Sequence, residues 1–219
     1  MGKIADNINS ILTSLNGRAE LVAVSKYRPV EELQEAYDAG LRVFAESRPQ
    51  EFAEKAAVLP DDIQWHFIGH LQTNKIKYVL PKAHLIHSVD SFHLLDAIEA
   101  FARAGHFKAR VLLEVHVAQE QTKQGFSPGD ILSTDWETLQ REKYNSTDIC
   151  GIMGMASNTD DSSRIDADFA YLQAIFVAIR KKYPGMAGFK ELSMGMSGDW
   201  KTAVEHSATM VRIGSAIFL

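Results

Sequence analysis

The apolar positions of this chain change period repeatedly, from helical spacing to short unbroken runs and back. Ile4, Ile8, Ile11, Leu12 and Leu15 share one helical face, which predicts an amphipathic first helix closing near Gly17. Residues 20–25 then form a short apolar run, as suits a strand buried on both faces. Pro29 sits where a helix starts, residues 30–39 carry helical periodicity, and Gly40 is placed as its C-cap. The same unit recurs. Residues 43–45 precede a helix over 49–59, 65–68 precede a helical stretch over 72–80, and 85–89 lead into 91–104 with Ser91 as N-cap. Residues 111–117 form the most apolar strand, followed by a loop through Gly125, Pro128 and Gly129 and then a helix. Residues 149–155 precede the long amphipathic run 165–182, residues 192–196 precede 200–206, and 210–218 end the chain.

About eight strands alternating with helices predict a closed (β/α)₈ barrel, with an extra N-terminal helix. An open doubly wound sheet shares the alternation, and the strand count favours the barrel. With a strand as its last segment, the chain is expected to lack the usual final helix, and helix 4–15 to cover part of that gap. Residues 1–219 read as one domain, without a linker, a low-complexity tract or a second β domain.

Composition narrows the picture only slightly. The 219 residues are 46% apolar and 23% charged, ordinary for a globular chain. The net charge of −5 promises no nucleic-acid or anionic-membrane partner. Cys150 is the only cysteine, which excludes an intramolecular disulfide and a Cys-rich metal site. Residues 1–15 resemble neither a signal peptide nor a membrane span, so a cytoplasmic protein is expected, and with no unusually apolar exposed stretch evident, a monomer.

In such a barrel, polar residues at the C-terminal strand ends face the active site. Lys26 follows five residues of apolar strand. Partial desolvation there would favour a nucleophilic amine, although a lysine that merely ends a strand and snorkels fits the position equally well. The segment from Ser193 to Asp199, with Gly195 and Gly198, is a glycine-rich turn before a helix. With Gly214 and Ser215 it occupies the loops after the seventh and eighth strands, where barrels bind phosphate. His66 and His70 are four apart across a strand end and a turn, where they share no face, so no metal is expected. His84, His87 and His93 read as structural, and Cys150 as a buried thiol. Met153, Met155, Met194 and Met196 read as core, with one of them free to pack on a cofactor ring.

Several segments together carry a family resemblance. They are Leu21-Val-Ala-Val-Ser-Lys26, Trp65-His-Phe-Ile-Gly-His-Leu-Gln72 with Asn74-Lys75, His87-Ser-Val-Asp90, Ser193-Met-Gly-Met-Ser-Gly-Asp199 and Met210-Val-Arg-Ile-Gly214. In this order, over nearly the whole chain, they resemble the pyridoxal phosphate homeostasis proteins. The resemblance implies a fold-type III barrel, related to the N-terminal domain of alanine racemase, that carries pyridoxal 5′-phosphate (PLP) as an internal aldimine. By position, Lys26 would be the Schiff-base lysine. Ser193, Met194, Gly195, Ser197, Gly214 and Ser215 would hold the phosphate. Arg212 would approach the pyridine nitrogen, and Ser47 and His66 would line the pocket. One departure stands out: the family usually has Phe-Gly-Glu-Asn where this chain has Phe44-Ala45-Glu46-Ser47. Ser47 lacks the amide, so a bridging water would have to replace that contact, and Ala45 adds a methyl where backbones approach.

The resemblance also implies a cofactor carrier or buffer without established turnover, serving PLP-dependent apo-enzymes, and hence no catalytic residue. A PLP-dependent amino-acid racemase is the first alternative. A barrel enzyme forming a Schiff base between Lys26 and a sugar phosphate is the second.

Overall fold

The computed structural model describes residues 2–120 and 124–219. Its strands are β1 (Glu20–Val24), β2 (Val43–Glu46), β3 (Gln64–Phe67), β4 (Ala83–Val89), β5 (Ala109–Glu114), β6 (Thr147–Met153), β7 (Glu191–Ser193) and β8 (Met210–Ile213). All pair in parallel with their sequence neighbours, and β1 pairs with β8, which closes the barrel and excludes the open sheet. Between and around them run α1 (Lys3–Leu15), α2 (Val30–Asp38), α3 (Pro49–Val58), α4 (Ile76–Val79), α5 (Phe92–Gly105), α6 (Pro128–Ser133), α7 (Trp136–Glu142), α8 (Ser162–Lys182), α9 (Trp200–Glu205) and α10 (Ser215–Phe218).

Strand residues alternate between two apolar environments. Outward-facing Leu21, Phe44, Trp65, Phe67, Val111 and Leu192 pack against the helices in the larger core. Inward-facing Val22, Val43, Ala45, Leu85, Leu112, Cys150, Met153 and Met210 fill the barrel interior as a separate cluster. Burial pushes the Cys150 thiol pKa up, as befits an inert core residue.

Helix ends follow local chemistry. The Ser91 hydroxyl accepts from Leu94 N–H at the start of α5, and the Asp161 carboxylate accepts from Ser163 and Arg164 N–H at the start of α8. α8 closes with Arg180, Lys181 and Lys182 against its C-terminal carbonyls.

Three expectations are corrected. Residues 72–80 are not one helix but a 3₁₀ turn (Thr73–Lys75) followed by the single turn α4, because Thr73 and Asn74 favour turn geometry. The segment after Gly125 carries two helices, separated where Thr134 is extended, and Ser127 and Asp135 each cap one of them. The final apolar run is also broken. β8 stops at Ile213, and the Gly214 carbonyl accepts from Ile217 and Phe218 N–H, so α10 forms the short closing helix that was expected to be missing. α1 packs against α2 and α10, burying Ile4, Ile8, Ile11 and Leu15, and Asn7 Nδ2 donates to Ile217 O at 2.9 Å. The first helix thus buttresses the last one at the rim of β8.

Candidate functional site

At the C-terminal ends of the strands lies a cavity of about 400 Å³. Lys26, Ser47, Ser197, Arg212, Gly214 and Ser215 line it together with Gly198. Val24, Ile68, Met153, Met155 and Met196 supply its apolar wall. Residues on or just after β1, β2, β3, β6, β7 and β8 therefore converge although they are far apart in sequence. Met155 and Met196 are placed to pack on a ring, whereas Met194 is fully buried core. A larger depression of about 1050 Å³ lies outside the strand ends, over Tyr27, Arg28, Arg48 and Val58, and contains neither Lys26 nor Arg212.

The loop after β7 is shaped by its own sequence. Asp199 Oδ1 accepts from Met196 N–H at 2.5 Å and Asp199 N–H returns to Met196 O at 3.1 Å, closing a tight turn. At its tip, the N–H groups of Ser197 and Gly198 make no hydrogen bond among the described residues, nor does that of Ser215. Gly214 N–H donates to Ser197 Oγ at 3.3 Å, tying the β7 and β8 loops together. Gly195 has φ +91°, and a Cβ there would meet Ala203 Cβ at 2.6 Å and Trp200 Cα at 2.9 Å, so only glycine fits. The result is a neutral cluster of donors suited to an oxyanion.

Below the cavity a chain of polar side chains runs through the otherwise apolar barrel interior. The Arg212 guanidinium donates to Ser193 Oγ (2.6 Å) and to Gly154 O (3.1 Å). Ser193 Oγ lies 2.9 Å from His87 Nδ1, and His87 Nε2 lies 2.9 Å from His66 Nδ1. Arginine can only donate. The direction that leaves fewest groups unsatisfied therefore runs from Arg212 to Ser193, to His87 and to His66, ending at the unpartnered His66 Nε2. Burial and the neighbouring Arg110 and His84 lower the His66 pKa to about 3, and burial beside His66 and Arg212 holds His87 well below its ordinary value. Both rings are neutral. Burial lowers the Arg212 pKa to about 10, so it stays charged at neutral pH. His66, Ser193, Met194 and Gly195 thus do not line the cavity. His66 and Ser193 hold up its floor, and Met194 and Gly195 shape its loop.

Lys26 is exposed rather than desolvated, and follows Ser25, which is fully buried. Tyr27 has φ +65°, a left-handed conformation that costs a non-glycine residue about 1–2 kcal/mol, with its ring largely exposed. The Ala45 methyl is accommodated inside the barrel, and Ala45 O still accepts from Ser25 N–H at 3.0 Å. The close approach at this strand end survives the departure from glycine. Nearby, Gly69 passes Ser47 so closely that a Cβ would meet its carbonyl oxygen at 1.9 Å.

Two groups escaped the sequence reading. Glu114 ends β5 almost fully buried, and its pKa is raised to about 7 by burial and by the charge of Asp90, against the opposing pull of Arg212. Its signal was a lone acid inside the apolar run Val111-Leu-Leu-Glu-Val115. The other is a buried ion pair of Lys55 with Glu46, at 2.7 Å, beside the start of the Lys26 turn. Glu51 and Lys55 at helical i,i+4 spacing gave no sign that the lysine is buried.

The chain matches a family described as alanine racemase, N-terminal domain, over residues 1–219. It is 37% identical over 201 residues to a pyridoxal phosphate homeostasis protein of Aquifex aeolicus, covering 91% of this chain and 86% of that one. The structure of PipY of Synechococcus elongatus without PLP is similar with a TM-score of 0.91 at 33% identity, over 99% of this chain and 100% of that one. PipY with PLP bound is similar with a TM-score of 0.87 at 32% identity, over the same shares.

Proposed function

Because the chain belongs to the alanine racemase N-terminal domain family, together with the pyridoxal phosphate homeostasis proteins, we propose that it binds PLP in the mouth cavity and holds it for cellular PLP homeostasis rather than turning over a substrate with it. One observation carries this reading: a lysine amine, a buried guanidinium and a neutral cluster of unpaired N–H groups open onto the same cavity of about 400 Å³. These are the groups that an aldehyde, a pyridine nitrogen and a phosphate require.

PLP supplies a reactive aldehyde and an electron-accepting ring. Lys26, on the wall of the cavity, would supply the amine that captures this aldehyde. Ser197, Gly198 and Ser215 would receive the phosphate through their unpaired backbone N–H groups and the serine hydroxyls, with Gly214 holding the two loops together through its N–H bond to Ser197 Oγ. Met155 and Met196 flank the ring. Arg212 would face the pyridine nitrogen as a charged donor and so keep it unprotonated, which would weaken the ring as a sink for carbanion electrons. That contact favours storage over amino-acid chemistry. In this reading the protein works as a cytoplasmic monomer, limits reaction of the aldehyde with cellular amines, and passes the cofactor to apo-enzymes.

A racemase or related PLP enzyme is the second reading, favoured by Glu114, a buried carboxyl at the C-terminal end of β5 with a pKa of about 7, suited to proton transfer at neutral pH. Two measurements separate them. Titration with PLP is expected to raise a visible absorbance band in the native protein that is absent in Lys26→Ala, and chiral analysis after incubation with amino acids is expected to show no inversion. Robust turnover that disappears in Lys26→Ala would sink the carrier reading.

A further inference from the structure

The groups around the Lys26 backbone form one connected cluster. Lys55 is buried, and its ammonium spends all three protons: on Ser25 O at 2.9 Å, on Glu46 Oε1 at 2.7 Å and on Glu51 Oε1 at 2.7 Å. Glu46 Oε1 also accepts from Ser25 Oγ at 2.7 Å, and Glu51 Oε1 also accepts from Tyr27 N–H at 2.9 Å. Arg28 N–H adds a second donor to Ser25 O at 3.0 Å. The peptide groups before and after Lys26 are therefore both held by side chains of β2 and α3, while Lys26 itself makes no hydrogen bond or ion pair among the described residues.

The strained turn agrees with this. Tyr27 is left-handed although its ring is largely exposed, with only Arg48 over its face at 4.5 Å. Ring burial therefore does not impose the conformation. The hydrogen bond from its N–H to Glu51, and the turn that Arg28 N–H closes on the anchored Ser25 carbonyl two residues before it, do.

We propose that Lys55, Glu46 and Glu51 are positioning residues, a buried clamp that fixes the backbone on both sides of Lys26 and so aims its amine into the mouth cavity. This rests on Lys26 being the lysine that captures PLP. The clamp explains why an exposed, flexible side chain is directed at one cavity: its free torsions begin from a peptide that cannot turn.

The test uses the full-length protein and two ligands: PLP, and pyridoxine 5′-phosphate, which has the ring and phosphate but no aldehyde. Glu51→Ala removes the acceptor for Tyr27 N–H and leaves the Lys55–Glu46 pair intact. The double variant Lys55→Met with Glu46→Gln removes the pair without stranding a buried charge. Folding is checked by circular dichroism and thermal midpoint, and the adduct is measured by visible absorbance and by borohydride trapping. The expected result is a tenfold or greater loss in apparent affinity for PLP and in trapped Lys26 adduct, with pyridoxine 5′-phosphate binding within twofold of native. Glu51→Gln, whose amide oxygen still accepts, is expected to lose less than Glu51→Ala. An unchanged adduct in folded Glu51→Ala, or equal loss for both ligands, would overturn the clamp whatever the fate of the double variant. Failure of the premise reads differently, as a band or trapped adduct that persists in Lys26→Ala.

Discussion

A guanidinium at the axis of a barrel needs acceptors that do not themselves compete for protons. Arg212 has them in Ser193 Oγ and Gly154 O, backed by two histidines that burial keeps neutral. Replacing it by glutamine removes a charged donor worth about 1.5–3 kcal/mol, so Arg212→Gln is expected to weaken PLP binding roughly 10–100-fold in an absorbance titration. Glu114 makes a separate prediction about pH. Its folded pKa of about 7 lies above the unfolded value near 4.3, so the folded state holds the proton longer and stability falls as pH rises from about 4.5 to 7. Glu114→Gln removes that cost of roughly 4 kcal/mol at most. The ligand-free variant should outlast native protein in urea at pH 8 and match it at pH 4.5. A midpoint difference independent of pH would refute the assignment. At this scale the sequence was partly legible. Lys26 and Arg212 could be placed by strand ends and resemblance, but nothing in a linear pattern showed that His66 and Ser193 sit beneath the cavity, because their neighbours come from other strands.

Among the elements, the β7 loop carries the sharpest constraint. Gly195→Ala is strained by its positive φ and by contact with α9, and should open the turn that presents Ser197 and Gly198. The native protein is expected to prefer PLP over phosphate-free pyridoxal in competition, and Gly195→Ala to lose most of that preference while Lys26 still forms an adduct. α1 makes a stability prediction. Ile8 is fully buried in its seam, so Ile8→Ala should cost about 2–5 kcal/mol in urea unfolding. The strands and the long helices were legible because each is a short apolar run or a sustained helical period. The short ones were not. α4, α6 and α10 are one or two turns long, too few for periodicity to register, and α10 hides in an apolar run that Gly214 interrupts.

For the whole molecule, closure of the barrel is what turns scattered residues into a site. Lys26, just after the first strand, and Arg212 on the eighth are far apart in the chain, and they share one cavity because β1 pairs with β8 through Val22 and Arg212. The strand count in the sequence favoured this closure over an open sheet, whereas the register that sets which residues meet came only with the structure. The central claim is that the mouth captures PLP through Lys26. Its most direct test is to load the native protein with PLP, reduce it with borohydride, and map the modified peptide by mass. The account predicts one stoichiometric adduct on Lys26. Label spread over surface lysines, or concentrated on a different one, would contradict it.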